Sequence, residues 1–278
     1  MNKQRSLRNA YELVKTKYFR YVGIMFLFVA GSALLSDQEL LNNIFIYHTE
    51  LSVPFMILLL AEIVGRNTFV AMLLKRVRRE EYTRSDMIAS IKKTVMYLIT
   101  GLLMVVVDFA ILFIFSIFYQ IISIWAIPLF HIAYIMTLSI EAFIVFAIHD
   151  GVKNAFHIVC RSIKLWYHHG NEIVAVSFGY IAWALIFLTI QNIMTALLQK
   201  GADVSEWEML STAFKSDTLI VYAFLYIGSK LLDFVVSAAL LVPTYILYAR
   251  IYETYYMQYY QIPIAQMVDV IDVEITDS

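Results

Sequence analysis

The chain has 278 residues, of which 61% are hydrophobic and 15% are charged, and its formal net charge is −1. An ordinary soluble domain is about a quarter charged and about half apolar, so this composition points to lipid as the surrounding medium. The single cysteine, Cys160, excludes an internal disulfide framework and a CxxC motif for redox chemistry or zinc.

Apolar segments of bilayer-spanning length follow one another along the chain. A helix needs roughly twenty residues to cross about 30 Å of hydrocarbon. The segments that meet or approach this length are 21–36, 44–65, 94–118, 121–148, 173–198 and 218–249. They predict an all-α polytopic membrane protein with six transmembrane helices in a single domain, residues 1–262, whose last helix extends to about residue 262 on the cytoplasmic side.

The basic residues are segregated along the chain. Segments 1–20, 66–93 and 149–172, together with Arg250, contain 18 of the 21 Lys and Arg residues. Basic residues near helix ends resist translocation, so these segments are expected on the cytoplasmic side. The sequence therefore predicts a multi-pass protein of the cell membrane with both termini in the cytoplasm.

Each long cytoplasmic segment starts with a residue type that caps helices, namely Ser6, Ser85 and Asp150. A short basic amphipathic stretch follows each one and leads into a membrane helix. This pattern predicts three units, each an elbow helix in the membrane interface followed by a helical hairpin. The alternative is that any cytoplasmic loop beside lipid is basic and amphipathic.

Several polar residues fall inside the predicted spans, where a charge costs about 2.5–3.5 kcal/mol on insertion scales. The candidates are Asp108, Glu141, Gln191, Asn192, Lys230 and Asp233. Lys230 and Asp233 are three residues apart on one helix face, where an ion pair can form. One interpretation is a structural pair in which Lys230 neutralises Asp233 or Asp108. The other interpretation is a polar cavity or proton path. Gln191 and Asn192 would extend such a cavity, or they would form hydrogen bonds between helices instead.

No catalytic motif is present, since the sequence has no GxSxG, HExxH, GxGxxG or GxxxxGK[ST]. His168 and His169 are adjacent on a helix and point apart, which argues against a metal site. The basic cluster around Arg78 is explained by topology and by anionic headgroups. We therefore predict no enzyme activity, no cofactor or metal, and no binding of nucleic acid.

Tyrosines repeat at spacings of three and four near the end of the last helix, at Tyr245, Tyr248, Tyr252, Tyr255 and Tyr259. This spacing places them on one helix face. Tyr252, Tyr255 and Tyr259 lie beyond the expected aromatic belt, so they are candidates for contact with a partner or with the chain's own elbows. In the tail 263–278, acidic residues alternate with β-branched apolar residues. This pattern predicts either a flexible segment or a strand that is added to a partner's sheet.

Two stretches, SLRNAYELVKTKYFRYVGIMFL and GVKNAFHIVCRSIKLWYHHGNEIVAVSFGY, are similar to a known membrane family. They resemble the bacterial six-helix membrane domain found beside or fused to glycerophosphodiester phosphodiesterases. Ala155, Ser162, Leu165 and Ile173 roughly match a pattern that follows the family's fourth helix. The metal-binding carboxylates of the soluble phosphodiesterase domain are absent, so the resemblance implies an architecture and no catalytic residue.

These features predict a non-enzymatic membrane component. The leading hypothesis is the membrane subunit of an ATP-driven exporter or a lipid-interacting accessory protein. The alternative is a secondary transporter or channel that uses Asp108, Lys230 and Asp233. The expected partners are membrane lipids and either a cytoplasmic ATPase or further copies of the same chain.

Overall fold

The computed structural model describes residues 17–35, 51–121, 126–199 and 220–256. These residues form seven helices and no strand, which confirms the all-α prediction for the described part. The helices are α1 (Tyr18–Leu35), α2 (Ser52–Val77), α3 (Arg84–Lys92), α4 (Thr94–Ile121), α5 (Ala126–His149), α6 (Ala155–Gln199) and α7 (Ile220–Tyr256).

Four of these helices, α2, α4, α6 and α7, are long and apolar enough to cross a membrane. Shorter apolar stretches lie in α1 and α5, at Tyr18–Ala33 and Ala133–His149. Large apolar side chains also point outward, and Leu102 and Phe109 of α4 are each 71% exposed. Extended apolar outer surfaces of this kind are stable in lipid and promote aggregation in water, so the chain has the features of an integral membrane protein.

Two helices start or end far from the predicted positions. α2 continues to Val77, twelve residues past the predicted end at 65. Lys75 and Arg76 in its last turn stabilise this end, because cations interact favourably with the negative end of the helix dipole. Arg66, which we expected in a cytoplasmic loop, therefore lies inside a helix. α6 starts at Ala155 because the predicted elbow helix runs into the following span across a kink at His169, where the backbone angles are non-helical.

The helix caps also differ from the prediction. Thr83, not Ser85, caps α3, because Thr83 has the extended backbone of an N-cap residue and forms a capping box with Asp86. Asn154, not Asp150, caps α6, since its Oδ1 accepts a hydrogen bond from the His157 N–H at 3.0 Å. Ser6, the first elbow, Tyr259 and the tail 263–278 lie outside the described residues.

The bundle is built around α7, which packs against α6 and α1, while α5 packs against α6. The Tyr18 hydroxyl of α1 donates to the Ala239 carbonyl of α7 at 2.8 Å. α1 and α2 approach closely at Gly65, where a Cβ would lie 3.0 Å from Cε1 of Phe28. These contacts enclose the space between α1, α2, α5, α6 and α7 that holds the candidate site.

α2 and α5 end in the same kind of turn. Arg79 has a φ of 62° and Gly151 a φ of 85°, both left-handed. The backbone N–H that follows each of them bonds back to a carbonyl in the last helical turn, at 2.9 Å for α2 and 3.0 Å for α5. This C-cap geometry holds Arg78 and Asp150, the residues just before each turn, in fixed positions.

We call the basic end the end of the bundle where the last turns of α2, α5 and α7 meet α3 and the first turns of α4 and α6. The Lys93 side chain at the start of α4 donates to the His149 carbonyl at the end of α5, at 2.8 Å. The His169 ring of α6 stacks on Tyr255 of α7 with centroids 3.5 Å apart. Side chains thus connect these helices at this end.

Candidate functional site

A cavity of about 530 Å³ lies within the bundle, between α1, α2, α5, α6 and α7. Apolar residues such as Phe28, Leu59 and Phe234 form much of its wall. The polar lining residues are Ser32, Glu62, Arg66, Tyr134, Tyr180, Asp233, Ser237 and Tyr245. Because these residues belong to apolar helices, the cavity places polar and charged groups inside a largely apolar molecule.

One wall holds an ion pair on α2. Arg66 Nε lies 3.7 Å from Glu62 Oε1, one helical turn away. The Ser32 hydroxyl of α1 donates to the same Glu62 oxygen at 2.8 Å. Glu141 of α5 also interacts electrostatically with the Arg66 guanidinium. The positive charge of Arg66 is therefore shared between two carboxylates from different helices.

A different wall, on α7, holds Asp233. Its Oδ1 atom accepts hydrogen bonds from Trp183 Nε1 at 2.9 Å and from the Ser237 hydroxyl at 3.1 Å. Lys230, one turn away on α7, does not line the cavity, and its ammonium lies 5.3 Å from the centroid of the Tyr226 ring. Two donors thus hold the Asp233 carboxylate in position at the cavity wall.

Three tyrosines line the same space. The rings of Tyr134 on α5 and Tyr180 on α6 stack with centroids 6.2 Å apart. Tyr134 is 45% exposed although its helix is otherwise well packed, because its side chain faces the cavity. Tyr245 of α7 completes this aromatic part of the wall. The arrangement offers ring faces and hydroxyl groups to a bound solute.

Of the other polar residues predicted inside the spans, four with described side chains lie outside the cavity lining: Asp108, Glu141, Gln191 and Lys230. Asp108 of α4 accepts a hydrogen bond from the Thr137 hydroxyl at 3.1 Å, which links α4 to α5. Gln191 of α6 donates to the Ser229 hydroxyl of α7. Asn192 is helical, but its side chain is not among those described. The structure therefore brings Asp233 to the cavity and places Asp108 and Gln191 at contacts between helices.

The prediction missed Glu62 and Arg66. Arg66 was assigned to a loop because the predicted span ended at residue 65. The apolar run FVAMLL, residues 69–74, continues the helical pattern to Leu74, and Glu62 and Arg66 have the i,i+4 spacing of a helical ion pair. Those two signals together identify a pair inside a longer span.

Packed aromatic residues bound the cavity on the side of the basic end. Phe143 of α5 contacts Tyr248 of α7 edge to face, with centroids 6.1 Å apart, and both side chains are fully buried. The Tyr248 hydroxyl lies 2.6 Å from the Ser177 hydroxyl of α6. Tyr21 of α1 and Phe69 of α2, also buried, pack edge to face at the same side. We call the four aromatic residues Phe143, Tyr248, Tyr21 and Phe69, together with Ser177, the aromatic layer.

Beyond the aromatic layer, the basic end is held by a network that we call the Arg78 network: Arg78, Asp150, Tyr252 and Glu253. Arg78 donates to both oxygens of Asp150, at 2.6 and 2.7 Å, and also to Glu253. These hydrogen bonds, with Asp150 first, raise the pKa of Arg78 above its ordinary value against the opposing effect of burial. The Tyr252 hydroxyl donates to Asp150 at 3.0 Å.

The structure places two of the three tyrosines proposed as partner contacts against the chain itself. Tyr252 is fully buried and has no surface to offer a partner. Tyr255 is partly buried and stacks on His169 of α6. Tyr259 lies outside the described residues.

No family model, curated protein or solved structure matches this chain. Within the described ranges, no group of three His, Cys, Asp or Glu side chains is close enough to hold a metal ion. The described polar groups form a cavity that can bind a solute, bounded on one side by the aromatic layer.

Proposed function

We propose that this chain is a non-enzymatic membrane transport protein that binds a solute in the cavity between α1, α2, α5, α6 and α7. The observation that carries this proposal is the presence of Glu62, Arg66 and Asp233 on the wall of a cavity inside apolar helices. Charged side chains within membrane helices are costly, and they typically face a water-filled path or a bound substrate. A volume of about 530 Å³ suits a small molecule, since such sites measure about 300–1,000 Å³.

The proposal includes six membrane spans with both termini in the cytoplasm. Apolar helices α1, α2, α4, α5, α6 and α7 supply the six spans, and two of them are shorter than the rest. With Arg66 assigned to α2, segments 1–20, 67–93 and 149–172 together with Arg250 contain 17 of the 21 Lys and Arg residues, and the proposal assigns these segments to the cytoplasmic side. The excess of basic residues supports a cytoplasmic location for the basic end.

In this proposal the described conformation is closed toward the cytoplasm. The aromatic layer lies between the cavity and the basic end, and the Arg78 network joins the helices at the basic end itself. Passage of a solute then requires α2, α5 and α7 to separate there, as in transporters that alternate between two conformations. Release at the cytoplasmic face is coupled to breaking contacts of Arg78.

Thiol labelling tests whether the cavity is accessible to water. Cys160 is the only cysteine, so Cys160→Ser gives a thiol-free background with one substitution. Val29→Cys then places a thiol on the cavity wall, and Leu27→Cys places one on the outward face of the same helix, where Leu27 is 67% exposed. Both variants are treated in intact cells and in inverted vesicles with membrane-impermeant methanethiosulfonate reagents.

We expect Val29→Cys to react in intact cells, because the cavity is closed at the basic end and the reagent enters from the outer side. Leu27→Cys should remain unlabelled because it faces lipid. Full labelling of both after denaturation shows that each thiol is present. If Val29→Cys fails to react from either face in the folded protein, the cavity has no aqueous access and the transport proposal is wrong.

A second candidate function is the membrane subunit of an ATP-driven exporter or a lipid-interacting accessory protein. It is favoured by the apolar side chains that α3 and the start of α6 expose, including Ile91 at 50% and Phe156 at 66%. A photo-crosslinking residue at Ile91 in native membranes discriminates the two forms. Crosslinks to an ATPase support the exporter subunit, and crosslinks to lipid alone support the accessory protein.

A further inference from the structure

The charges inside the bundle do not balance. Among the described residues that line the cavity, two carboxylates, Glu62 and Asp233, accompany one cation, Arg66. From this imbalance and from the cavity wall, we infer that the cavity binds a small organic cation, with its ammonium group at Asp233 and its apolar part against the tyrosines. The inference rests on the proposed function and names the class of solute for the same site.

Asp233 has the geometry of a cation anchor. Both of its hydrogen-bond donors, Trp183 and Ser237, contact Oδ1. No described residue donates a hydrogen bond to Oδ2. The N–H and O–H groups at Oδ1 stabilise the ionised carboxylate and fix its orientation. A bound ammonium group at Oδ2 would supply the positive charge that this carboxylate needs inside an apolar helix bundle.

The aromatic wall suits the same ligand class. Tyr134, Tyr180 and Tyr245 line the cavity together with Asp233, and the first two present stacked rings. Cations are attracted to the faces of aromatic rings, and sites for quaternary ammonium groups combine several such rings. Phe28 and Phe234 add apolar surface for the rest of the molecule.

An anion fits the cavity less well. Arg66 is the cation on its lining, and the Arg66 charge is already shared by Glu62 and Glu141. An anionic solute at Arg66 would add a further negative group beside Glu62 and Glu141, and it would approach Asp233 as well. Lys230 reduces the net charge near Asp233, but it does not line the cavity, so it does not occupy the place of the ligand.

The test uses Val29→Cys in the Cys160→Ser background and two methanethiosulfonate reagents of similar size. One carries a trimethylammonium group and the other a sulfonate. Each labelling rate is divided by the rate of the same reagent with a free thiol in solution. We expect the cationic reagent to react faster by on the order of tenfold after this correction, a factor that corresponds to about 1.4 kcal/mol. Phenyltrimethylammonium should protect the thiol.

Asp233→Asn provides the decisive variant, since Asn keeps the volume and can still accept hydrogen bonds from Trp183 and Ser237. It should abolish both the preference for the cationic reagent and the protection by phenyltrimethylammonium, while Asp233→Glu should keep them in part. Equal rates for the two reagents, or a faster anionic reagent, would overturn the cation inference and leave the accessible cavity intact. Absence of labelling by either reagent would instead overturn the proposed function itself.

Discussion

The Arg78 network and the cavity both place arginine beside two carboxylates, but the geometries differ. Arg78 forms a bidentate pair with Asp150, with hydrogen bonds of 2.6 and 2.7 Å, and also contacts Glu253. Arg66 Nε lies 3.7 Å from Glu62, beyond hydrogen-bond distance. The first arrangement satisfies the guanidinium with the chain's own hydrogen bonds, whereas the second is a looser ion pair on a cavity wall.

This difference indicates different roles for similar residues. Bidentate arginine–carboxylate pairs are strong and directional, so the Arg78 network fixes how α2, α5 and α7 pack at this end. The looser cavity groups contribute less to holding the helices together and can reorganise around a solute. We therefore expect substitutions at the basic end to lower stability and substitutions in the cavity to change binding.

Arg78→Met should produce the largest loss of stability. The substitution keeps much of the side-chain length but removes the partner of Asp150 and Glu253, whose side chains are 11% and 34% exposed. Breaking a fully buried pair costs about 3–5 kcal/mol, and solvent reaches this one, so we expect the free energy of unfolding to fall by about 2–3 kcal/mol. Equilibrium unfolding in mixed detergent micelles measures it.

Lys92→Ala is the matched control, because it removes one positive charge from an exposed position at the same end. We expect it to change the free energy of unfolding by less than about 0.5 kcal/mol. Equal losses for the two variants would mean that the Arg78 network contributes charge but no specific stabilisation.

Tyr248→Phe should have the next largest effect, at the aromatic layer. It removes a buried hydroxyl that lies 2.6 Å from the Ser177 hydroxyl, which itself donates to the Ile173 carbonyl. Hydrogen bonds between membrane helices contribute about 0.6 kcal/mol on average, so we expect a loss of about 0.6–1 kcal/mol in the same unfolding assay.

Tyr245→Phe compares a tyrosine on the cavity wall with Tyr248 in the aromatic layer, since Tyr245 lies one turn away on α7 and lines the cavity. We expect a smaller loss than for Tyr248→Phe, because a solute or water can replace contacts at a cavity wall. A double-mutant cycle with Ser177→Ala isolates the Tyr248 contribution. A coupling energy near zero in that cycle would show that the hydroxyl pair does not join α6 to α7.

The helices and the membrane character could be predicted from the sequence because both depend on local composition and periodicity. Their bounds were less predictable, since a single charge such as Arg66 was interpreted as the end of a span. The helix caps also depend on backbone geometry: Thr83, Ser85, Asp150 and Asn154 all belong to capping residue types, and only backbone angles and hydrogen bonds separate them.

The candidate site was only partly predictable. Asp233 stood out because it is a charge inside an apolar segment. Its donor Trp183 is 50 residues away in the sequence, and Arg78 is 72 residues from Asp150 and 175 from Glu253. No local pattern encodes contacts at such separations. The cavity itself depends on how five helices pack, which the sequence does not specify locally.

Asp86 in the capping box of α3 should make a smaller, pH-dependent contribution to the free energy of unfolding. The Lys75 ammonium, which donates to Asp86 at 2.7 Å, and then the Thr83 N–H hold the pKa of Asp86 below its ordinary value. A lowered folded-state pKa stabilises the fold above the unfolded pKa of about 4, and this contribution is lost as the pH falls below that value.

We expect Asp86→Asn to lower the free energy of unfolding by less than about 1 kcal/mol at neutral pH, because exposed pairs are screened by solvent. The difference from the unsubstituted chain should shrink as the pH falls from about 5 to about 2. Glu81→Gln, an exposed position in the same loop, is the control and should follow the unsubstituted chain. A difference for Asp86→Asn that stays constant across this range would contradict the assignment to Asp86 ionisation.

The smallest change in stability is expected for Asp233→Asn, the variant with the largest expected effect on cation binding. Asn can still accept hydrogen bonds from Trp183 and Ser237, and the substitution removes a charge from an apolar helix. We therefore expect the free energy of unfolding to change by less than about 0.5 kcal/mol, in the same assay that detects Arg78→Met. A loss of about 2 kcal/mol or more would instead show that Asp233 is held in a structural ion pair, because removing one partner of such a pair leaves the other charge uncompensated. In that case the contrast between the cavity and the basic end would fail, since both would then hold the helices together through paired charges.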